Sequence, residues 1–373
     1  MWSWDSIRSE FYGVKELTYL NTASTGLMPE RSIKEWKDHI ETRRLGGINW
    51  PDWEKKLIEY KEKIGKLINA EPAEIAFCHN TSYGINIIAH GIKWRPGDEI
   101  LLNDLEFPAN YFPWIHIAHK YGLKIIMVKN KDGIIDADEY AKKITNKTRI
   151  IAVSWVEFSN GFVHDLKRLS EIAHNNGAYL FVDGIQGVGA LSIDVKSEDI
   201  DFMACGGHKW LISPTGTGFL YVRDNLIEEL ELSFIGWRGE QNFTDFTQRE
   251  FKPAREARRF EIGTLNFSGI HASVESINLL LEISINEIEK RNLQLIQYLK
   301  SKLENLGVNI STPETLKSPI LSFKVHNGEK IYKELRKRKI IIAFRLGNIR
   351  VSPHFYNNEE DIDTLIKTLK ELI

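Results

Sequence analysis

The chain has 373 residues, of which 42% are hydrophobic and 27% are charged, and its formal net charge at pH 7 is -2. This composition is typical of a soluble globular protein, and the length suits one large core with a smaller unit attached. A near-neutral charge without a basic block argues against a nucleic-acid partner, and no stretch approaches the roughly 18 apolar residues of a membrane span. We therefore expect a cytoplasmic protein that acts on small molecules. Cys78 and Cys205 lie in apolar segments and are predicted to be buried structural thiols.

The N-terminal part combines a loop of small residues with two helical patterns. An extended piece at 17–20 leads into Asn21-Thr-Ala-Ser-Thr-Gly, a loop that allows backbone to approach a ligand. Apolar residues at helical spacing then predict two amphipathic helices, one marked by Ile33, Trp36 and Ile40 and the other by residues from Trp53 to Leu67.

Between residues 75 and 222 short apolar runs alternate with helical stretches. Near-continuous Ile, Val and Leu runs in this arrangement predict an α/β fold, a mostly parallel sheet of seven strands with helices on both faces. The predicted strands are 75–78, 99–102, 124–128, 149–153, 178–182, 201–204 and 218–222.

The C-terminal third predicts a smaller α+β domain. A long helical stretch at 270–306 is followed by a strand at 320–325, a helix at 328–338, a strand at 340–344 and a last helix from Glu359. We predict an N-terminal segment (1–20) packed with the small domain, a large domain (21–265) and the small C-terminal domain (266–373).

Two residues near strand ends suggest a pyridoxal 5'-phosphate site. Asp183 ends an apolar run, where ligands of parallel sheets bind, and Lys209 follows Gly-Gly-His. The cofactor needs a lysine in a partly dry pocket, which forms an imine with its aldehyde and later acts as a base. It also needs a carboxylate opposite its protonated ring nitrogen. Taken alone, Asp183 or Lys209 is more simply interpreted as an ordinary loop residue.

Other residues fit the same cofactor. Thr81 and Ser82 begin a helix after the first strand, where N–H groups and hydroxyls can hold a phosphate. Phe107 follows another strand and can stack on the cofactor ring. Gln186 can donate to the phenolate oxygen and His208 can contact the phosphate. Each of these features by itself also fits an ordinary cap, core or loop residue.

Seven motifs occur in the order expected of one family. They are Asn-Thr-Ala near the start, Asn-Thr-Ser-Tyr-Gly-Ile-Asn, Glu-Phe-Pro-Ala-Asn, Phe-Ser-Asn-Gly, Val-Asp-Gly-Ile-Gln, Gly-Gly-His-Lys-Trp and Arg-Phe-Glu-Ile-Gly-Thr. Over nearly its whole length the chain thus resembles the class V aminotransferase family, which includes cysteine desulfurases and isopenicillin N epimerase-like proteins.

The resemblance implies a fold-type-I pyridoxal phosphate enzyme with amino acid and keto acid substrates. It implies that Lys209 binds the cofactor covalently, that Asp183 faces the ring nitrogen and Gln186 the phenolate, and that Thr81, Ser82 and His208 hold the phosphate. It also implies a homodimer with the site at the interface, in which Thr264 of one subunit reaches the phosphate of the other. Arg350 matches the arginine that clamps the substrate α-carboxylate, with Arg345 among the alternatives.

The chain departs from the desulfurase pattern at three places. No cysteine occurs from His326 to Arg350, where desulfurases carry the sulfur-attacking cysteine. Phe107 stands where they have a ring-stacking histidine, and Trp155 occupies a strand end where relatives have a polar cofactor contact. Lys209 is then the main proton shuttle, which favours an aminotransferase.

Other functions stay open at this point. A C–S lyase or an epimerase can use the same residues, and a non-enzymatic cofactor-binding protein is a weaker alternative. A metal site at His116 and His119, spaced i, i+3, has no evident third ligand, so we predict no metal.

Overall fold

The structure, a computed structural model, describes residues 2–315 and 317–373. Helices account for much of this part of the chain. They are α1 (Trp4–Arg8), α2 (Gly13–Glu16), α3 (Glu30–Arg44), α4 (Trp50–Ile68), α5 (Thr81–Gly91), α6 (Phe112–Tyr121), α7 (Ala137–Ala141), α8 (Leu166–His174), α9 (Phe267–Ile283), α10 (Ile285–Asn305), α11 (Gly328–Lys337) and α12 (Glu359–Leu372).

The strands form three sheets. They are β1 (Thr18–Tyr19), β2 (Ile75–Phe77), β3 (Glu99–Asn103), β4 (Lys124–Val128), β5 (Thr148–Ser154), β6 (Tyr179–Asp183), β7 (Phe202–Gly206), β8 (Gly218–Val222), β9 (Asn309–Ile310), β10 (Leu321–Lys324), β11 (Ile340–Ile341), β12 (Ala343–Arg345) and β13 (Asn348–Val351). The largest sheet has seven strands in the order β2-β8-β7-β6-β5-β3-β4. Only β8 runs antiparallel to its neighbours, so the predicted mostly parallel sheet is confirmed.

Apolar residues cover the large sheet on both faces. Leu180 and Val182 belong to one buried cluster, while Phe181 between them belongs to another. Successive side chains of a strand point to opposite faces, so a continuous apolar run fills both layers. This burial explains why the sequence shows runs rather than alternation.

The predicted long helix at 270–306 is interrupted at Ser284. This residue has φ 76°, its amide N–H donates to the carbonyl of Leu280, and its hydroxyl accepts from the amide of Glu287. The apolar pattern continues on both sides of the break and therefore conceals it. α9 packs with the core of the large sheet, and α10 with a third cluster, in the C-terminal part.

The C-terminal part contains an antiparallel sheet in the order β12-β13-β10-β9. The predicted strand at 340–344 is divided into β11 and β12, and a tight hairpin connects β12 to β13 through Leu346 and Gly347, both with positive φ. β1 pairs with β11, and Leu20 lies in the third cluster. The domain limits given above stay a prediction. Within residues 2–315 and 317–373, none of the helices has the length and apolar character needed to cross a membrane.

Candidate active site

A cavity of ≈ 280 Å³ lies beyond the carboxyl ends of the central parallel strands. Strands β6 and β7 end at Asp183 and Gly206, directly before the residues that form its floor. The lining contains eight of the predicted residues, which come from distant parts of the chain: Thr81, Ser82, Phe107, Asp183, Gln186, His208, Lys209 and Arg350.

Lys209 follows β7 after two glycines in closely packed positions. A Cβ on Gly207 would lie 2.6 Å from the hydroxyl of Thr217, and one on Gly206 would lie 3.3 Å from the hydroxyl of Thr81, beside the cavity. Burial lowers the pKa of Lys209 to about 8, and the charge of Asp183 opposes this shift only in part. The amine is thus partly neutral at physiological pH.

Asp183 is a buried carboxylate, and the described residues form no salt bridge with it. Its side chain is 3% exposed, and the amide of Ile185 donates to its Oδ1 at 3.1 Å. Burial raises the pKa of Asp183 to about 6, while that hydrogen bond and Lys209 lower it. A carboxylate placed in this way is stabilised by a cationic ring nitrogen of a bound ligand.

The N-terminus of α5 forms an anion cradle next to these residues. Asn80 caps the helix by accepting from the amide of Tyr83, and Thr81 Oγ1 accepts from the amide of Gly206 at 2.9 Å. The hydroxyl hydrogen of Thr81 and the exposed side chain of Ser82 remain available to a ligand. Burial lowers the pKa of His208 to about 4, so His208 is neutral at pH 7. Together with Lys209 and Asp183, this cradle fits a pyridoxal phosphate.

Gln186 is fixed by hydrogen bonds at both ends of its amide. Trp210 Nε1, which can only donate, donates to Gln186 Oε1 at 2.9 Å, and Gln186 Nε2 donates to the carbonyl of Ala23 at 3.0 Å. One amide hydrogen therefore remains for a ligand in the cavity.

Arg350 lies on β13 with its guanidinium aimed into the cavity. It is 2% exposed, and it donates to the carbonyl of Phe158 at 2.7 Å and to Ser24 Oγ at 2.8 Å. Ser24 comes from the N-terminal loop of small residues, which explains why that loop approaches the site. Burial lowers the pKa of Arg350 to about 9, which leaves it charged at pH 7.

The loop that carries Phe107 is held in place by Glu106, an acid that no sequence pattern singled out. The ring of Phe107 contacts Phe158 edge to face at 5.1 Å, and Lys209 Nζ lies 5.8 Å from its centroid. The neighbouring Glu106 accepts from Asn103, Asn110 and both the amide and hydroxyl of Ser154. In the sequence, the only indication that Glu106 supports the site is its position directly before Phe107.

Three other sequence-derived candidates lie elsewhere. Thr264 is exposed and does not line the cavity of its own chain, so its action on a second subunit stays a prediction. Trp155 packs against Gly187, and Phe158 instead faces the cavity. His116 and His119 lie on α6, and no cluster of three metal-binding side chains occurs in the described ranges.

The comparisons with known proteins agree with this geometry. The family model for aminotransferase class-V matches residues 18–365. A probable cysteine desulfurase of Borreliella burgdorferi is 33% identical, with 96% of this chain and 92% of that protein covered. An isopenicillin N epimerase of Streptomyces clavuligerus is 26% identical, with coverages of 99% and 98%.

A solved structure shows the same architecture. The apo cysteine desulfurase from Thermococcus onnurineus NA1 is 26% identical and superposes with a TM-score of 0.92 over 100% of this chain and 98% of that one. The likeness covers the large sheet, the cavity and the C-terminal part together. The chain therefore belongs to the class-V aminotransferase family and is a pyridoxal phosphate-dependent enzyme of fold type I.

Proposed function

We propose that this enzyme is an aminotransferase, which moves an amino group from an amino acid to a keto acid. The observation that carries the proposal is the titration of the cavity. Of the lining groups, Asp183, with a pKa of about 6, is assigned to the cofactor ring nitrogen, and His208 has a pKa of about 4. Lys209, with a pKa of about 8, is therefore the group left to exchange a proton with the substrate near neutral pH. A proton shift by a single amine is the simplest requirement of transamination.

Each residue then has a defined task. When bound, pyridoxal phosphate withdraws electrons from the substrate α-carbon and makes its proton acidic. Lys209 Nζ takes up and releases that proton. The carboxylate of Asp183 would stabilise a positive charge on the cofactor ring nitrogen. Arg350 binds the substrate α-carboxylate through its planar guanidinium. In the overall reaction one amino acid leaves as its keto acid and a second keto acid gains the amino group.

The chain's thiols argue against attack on sulfur by a protein cysteine. Cys78 and Cys205 are both buried and unpaired, and neither lines the cavity. Burial raises the pKa of Cys78 to about 12 and that of Cys205 well above its usual value, so neither is a thiolate nucleophile. The hairpin between β12 and β13 contains no cysteine either. Free thiols also support the proposed cytoplasmic location.

A C–S lyase is the second candidate. The similarity to probable cysteine desulfurases favours sulfur-containing substrates, and Lys209 is sufficient to remove the α-proton before a β-thiol leaves. An epimerase that uses two bases is less well supported, because Phe107 and Phe158 add no second proton donor to the cavity.

One product screen distinguishes these reactions. The purified enzyme with pyridoxal phosphate is incubated with amino acids, with and without keto acids, and keto acid, sulfide and inverted amino acid are measured separately. We expect amino transfer that depends on the keto acid acceptor. Sulfide release without a keto acid acceptor would show that the enzyme is a C–S lyase and not an aminotransferase. Inverted amino acid as the main product would show that it is an epimerase.

A further inference from the structure

The cavity contains two guanidinium groups whose charges are not neutralised by the protein. Arg345 and Arg350 both line it, and neither forms a salt bridge within the part of the chain that the structure describes. Arg350 donates to a carbonyl and a hydroxyl, and Arg345 Nη1 donates to the carbonyl of its own neighbour Phe344 at 2.9 Å. Among the described residues, Asp183 is the only carboxylate of the lining.

The two groups lie near enough to repel each other. Burial is the larger cause of the lowered pKa of Arg350, and the charge of Arg345 lowers it further. Both arginines also act against the protonated form of Lys209. A buried cation such as Arg350 is unfavourable unless a ligand supplies the opposite charge, and Arg345 adds a second positive charge to the same cavity. Asp183 and the N-terminus of α5 are assigned to the ring and the phosphate of the cofactor. Both guanidinium groups are therefore left for the substrate.

The arginines differ in how they are held. Arg350 is buried and tied on two sides, as suits a fixed α-carboxylate site. Arg345 is exposed at the end of β12, just before the tight turn of Leu346 and Gly347, so its side chain reaches the cavity from the mouth. One carboxylate satisfies Arg350 and leaves Arg345 for a second anionic group.

We propose that the substrate is a small amino acid with an acidic side chain, whose second anionic group binds Arg345. The inference rests on the proposed function, since it assumes that an amino acid is the substrate. Arg345 and Arg350 lie on the paired strands β12 and β13 and line the same cavity, so their guanidinium groups can receive the two ends of a short dicarboxylic skeleton or its sulfinate analogue. Phe107, Phe158 and Ala109 provide apolar walls for the methylene groups between the two charged ends.

Paired substrates of equal size test the assignment. The ratio of kcat/KM for aspartate over asparagine, and for glutamate over glutamine, is measured for the wild type and for Arg345→Gln. We expect acidic substrates to be preferred, and the ratio to fall about tenfold or more in Arg345→Gln, with partial recovery in Arg345→Lys. Arg336→Gln, at an exposed position of α11, is the matched control and should keep the wild-type ratio. An unchanged ratio in Arg345→Gln would overturn the proposal.

A binding experiment separates this inference from the proposed function. The holoenzyme is titrated calorimetrically with succinate and with butyrate, neither of which carries an amino group. Succinate should bind at least about tenfold more tightly than butyrate, and the difference should vanish in Arg345→Gln. If succinate binds in this way but no amino transfer occurs, the proposed aminotransferase function is wrong, while the proposed binding of an acidic group by Arg345 is retained. If amino transfer occurs but succinate has no advantage, the acidic-substrate proposal fails alone.

Discussion

At the scale of single residues, the environment of Lys209 predicts a pH dependence. Only the neutral amine can attack the cofactor aldehyde, and burial lowers the pKa of Lys209 to about 8. The rate at which the apoprotein takes up pyridoxal phosphate should therefore rise with pH up to about 8 and then level off. Stopped-flow absorbance measures this rate. An uptake rate that still rises at pH 10 would mean that the pKa of Lys209 is not lowered. As a control, Lys209→Ala should lack the visible absorbance band of the bound cofactor.

Asp183 gives a second prediction at this scale. Asp183→Asn preserves shape but removes the negative charge that favours a protonated ring nitrogen. The variant should retain bound pyridoxal phosphate while kcat falls about a hundredfold or more. Cofactor content is measured after dialysis, and kcat by the product assay described above. Wild-type turnover in this variant would exclude Asp183 from the chemistry.

At the scale of elements, Glu106 connects the end of β3 to the end of β5. Its carboxylate accepts four hydrogen bonds, and burial raises its pKa well above the usual value. Glu106→Ala leaves buried donors unpaired, so unfolding should become easier by about 2–3 kcal/mol, and the loop that holds Phe107 should loosen. Urea unfolding and the Kd for pyridoxal phosphate check both effects. Glu62→Gln, at an exposed position of α4, is the control and should change neither.

The predicted elements agree with the structure where local pattern decides them. All seven strands of the large sheet follow from apolar runs. Six of them are buried over most of their length and are therefore largely apolar, whereas the edge strand β4 is only partly buried. The break at Ser284 and the split of the strand at 340–344 did not follow from the sequence. Ser284 sits inside a continuous helical pattern, and Ile342, which separates β11 from β12, sits inside a continuous apolar run.

At the scale of the whole molecule, an exposed apolar surface supports the proposed homodimer. Trp36 and Ile40 are 41% and 46% exposed on α3, although their spacing predicts a packed face. Trp50, at the start of α4, is also exposed and contacts Phe267, three residues after Thr264. Trp50 therefore lies near the residue that is expected to serve a second subunit.

Charged residues on the exposed face of α3 test the expected dimer. Trp36→Asp combined with Ile40→Asp should give monomers in sedimentation velocity and about tenfold weaker binding of pyridoxal phosphate, because the Thr264 contact would be lost. Ile373→Asp, at an exposed position of the C-terminus, serves as control. A wild-type monomer that binds the cofactor tightly would contradict both the dimer and the role of Thr264.

The sequence by itself determined the sheet, the ordered motifs and the identity of Lys209, Asp183 and Thr81 as site candidates, since strand ends and helix starts are local features that recur at fixed places in a parallel sheet. Arg350 became a candidate only through the resemblance to the family. Only the tertiary structure decided that Ser24 and Phe158 bind Arg350, that Glu106 carries the Phe107 loop, and that Arg345 enters the cavity from the hairpin. These contacts join segments far apart in the chain, so their partners are set by packing and not by any pattern along the sequence.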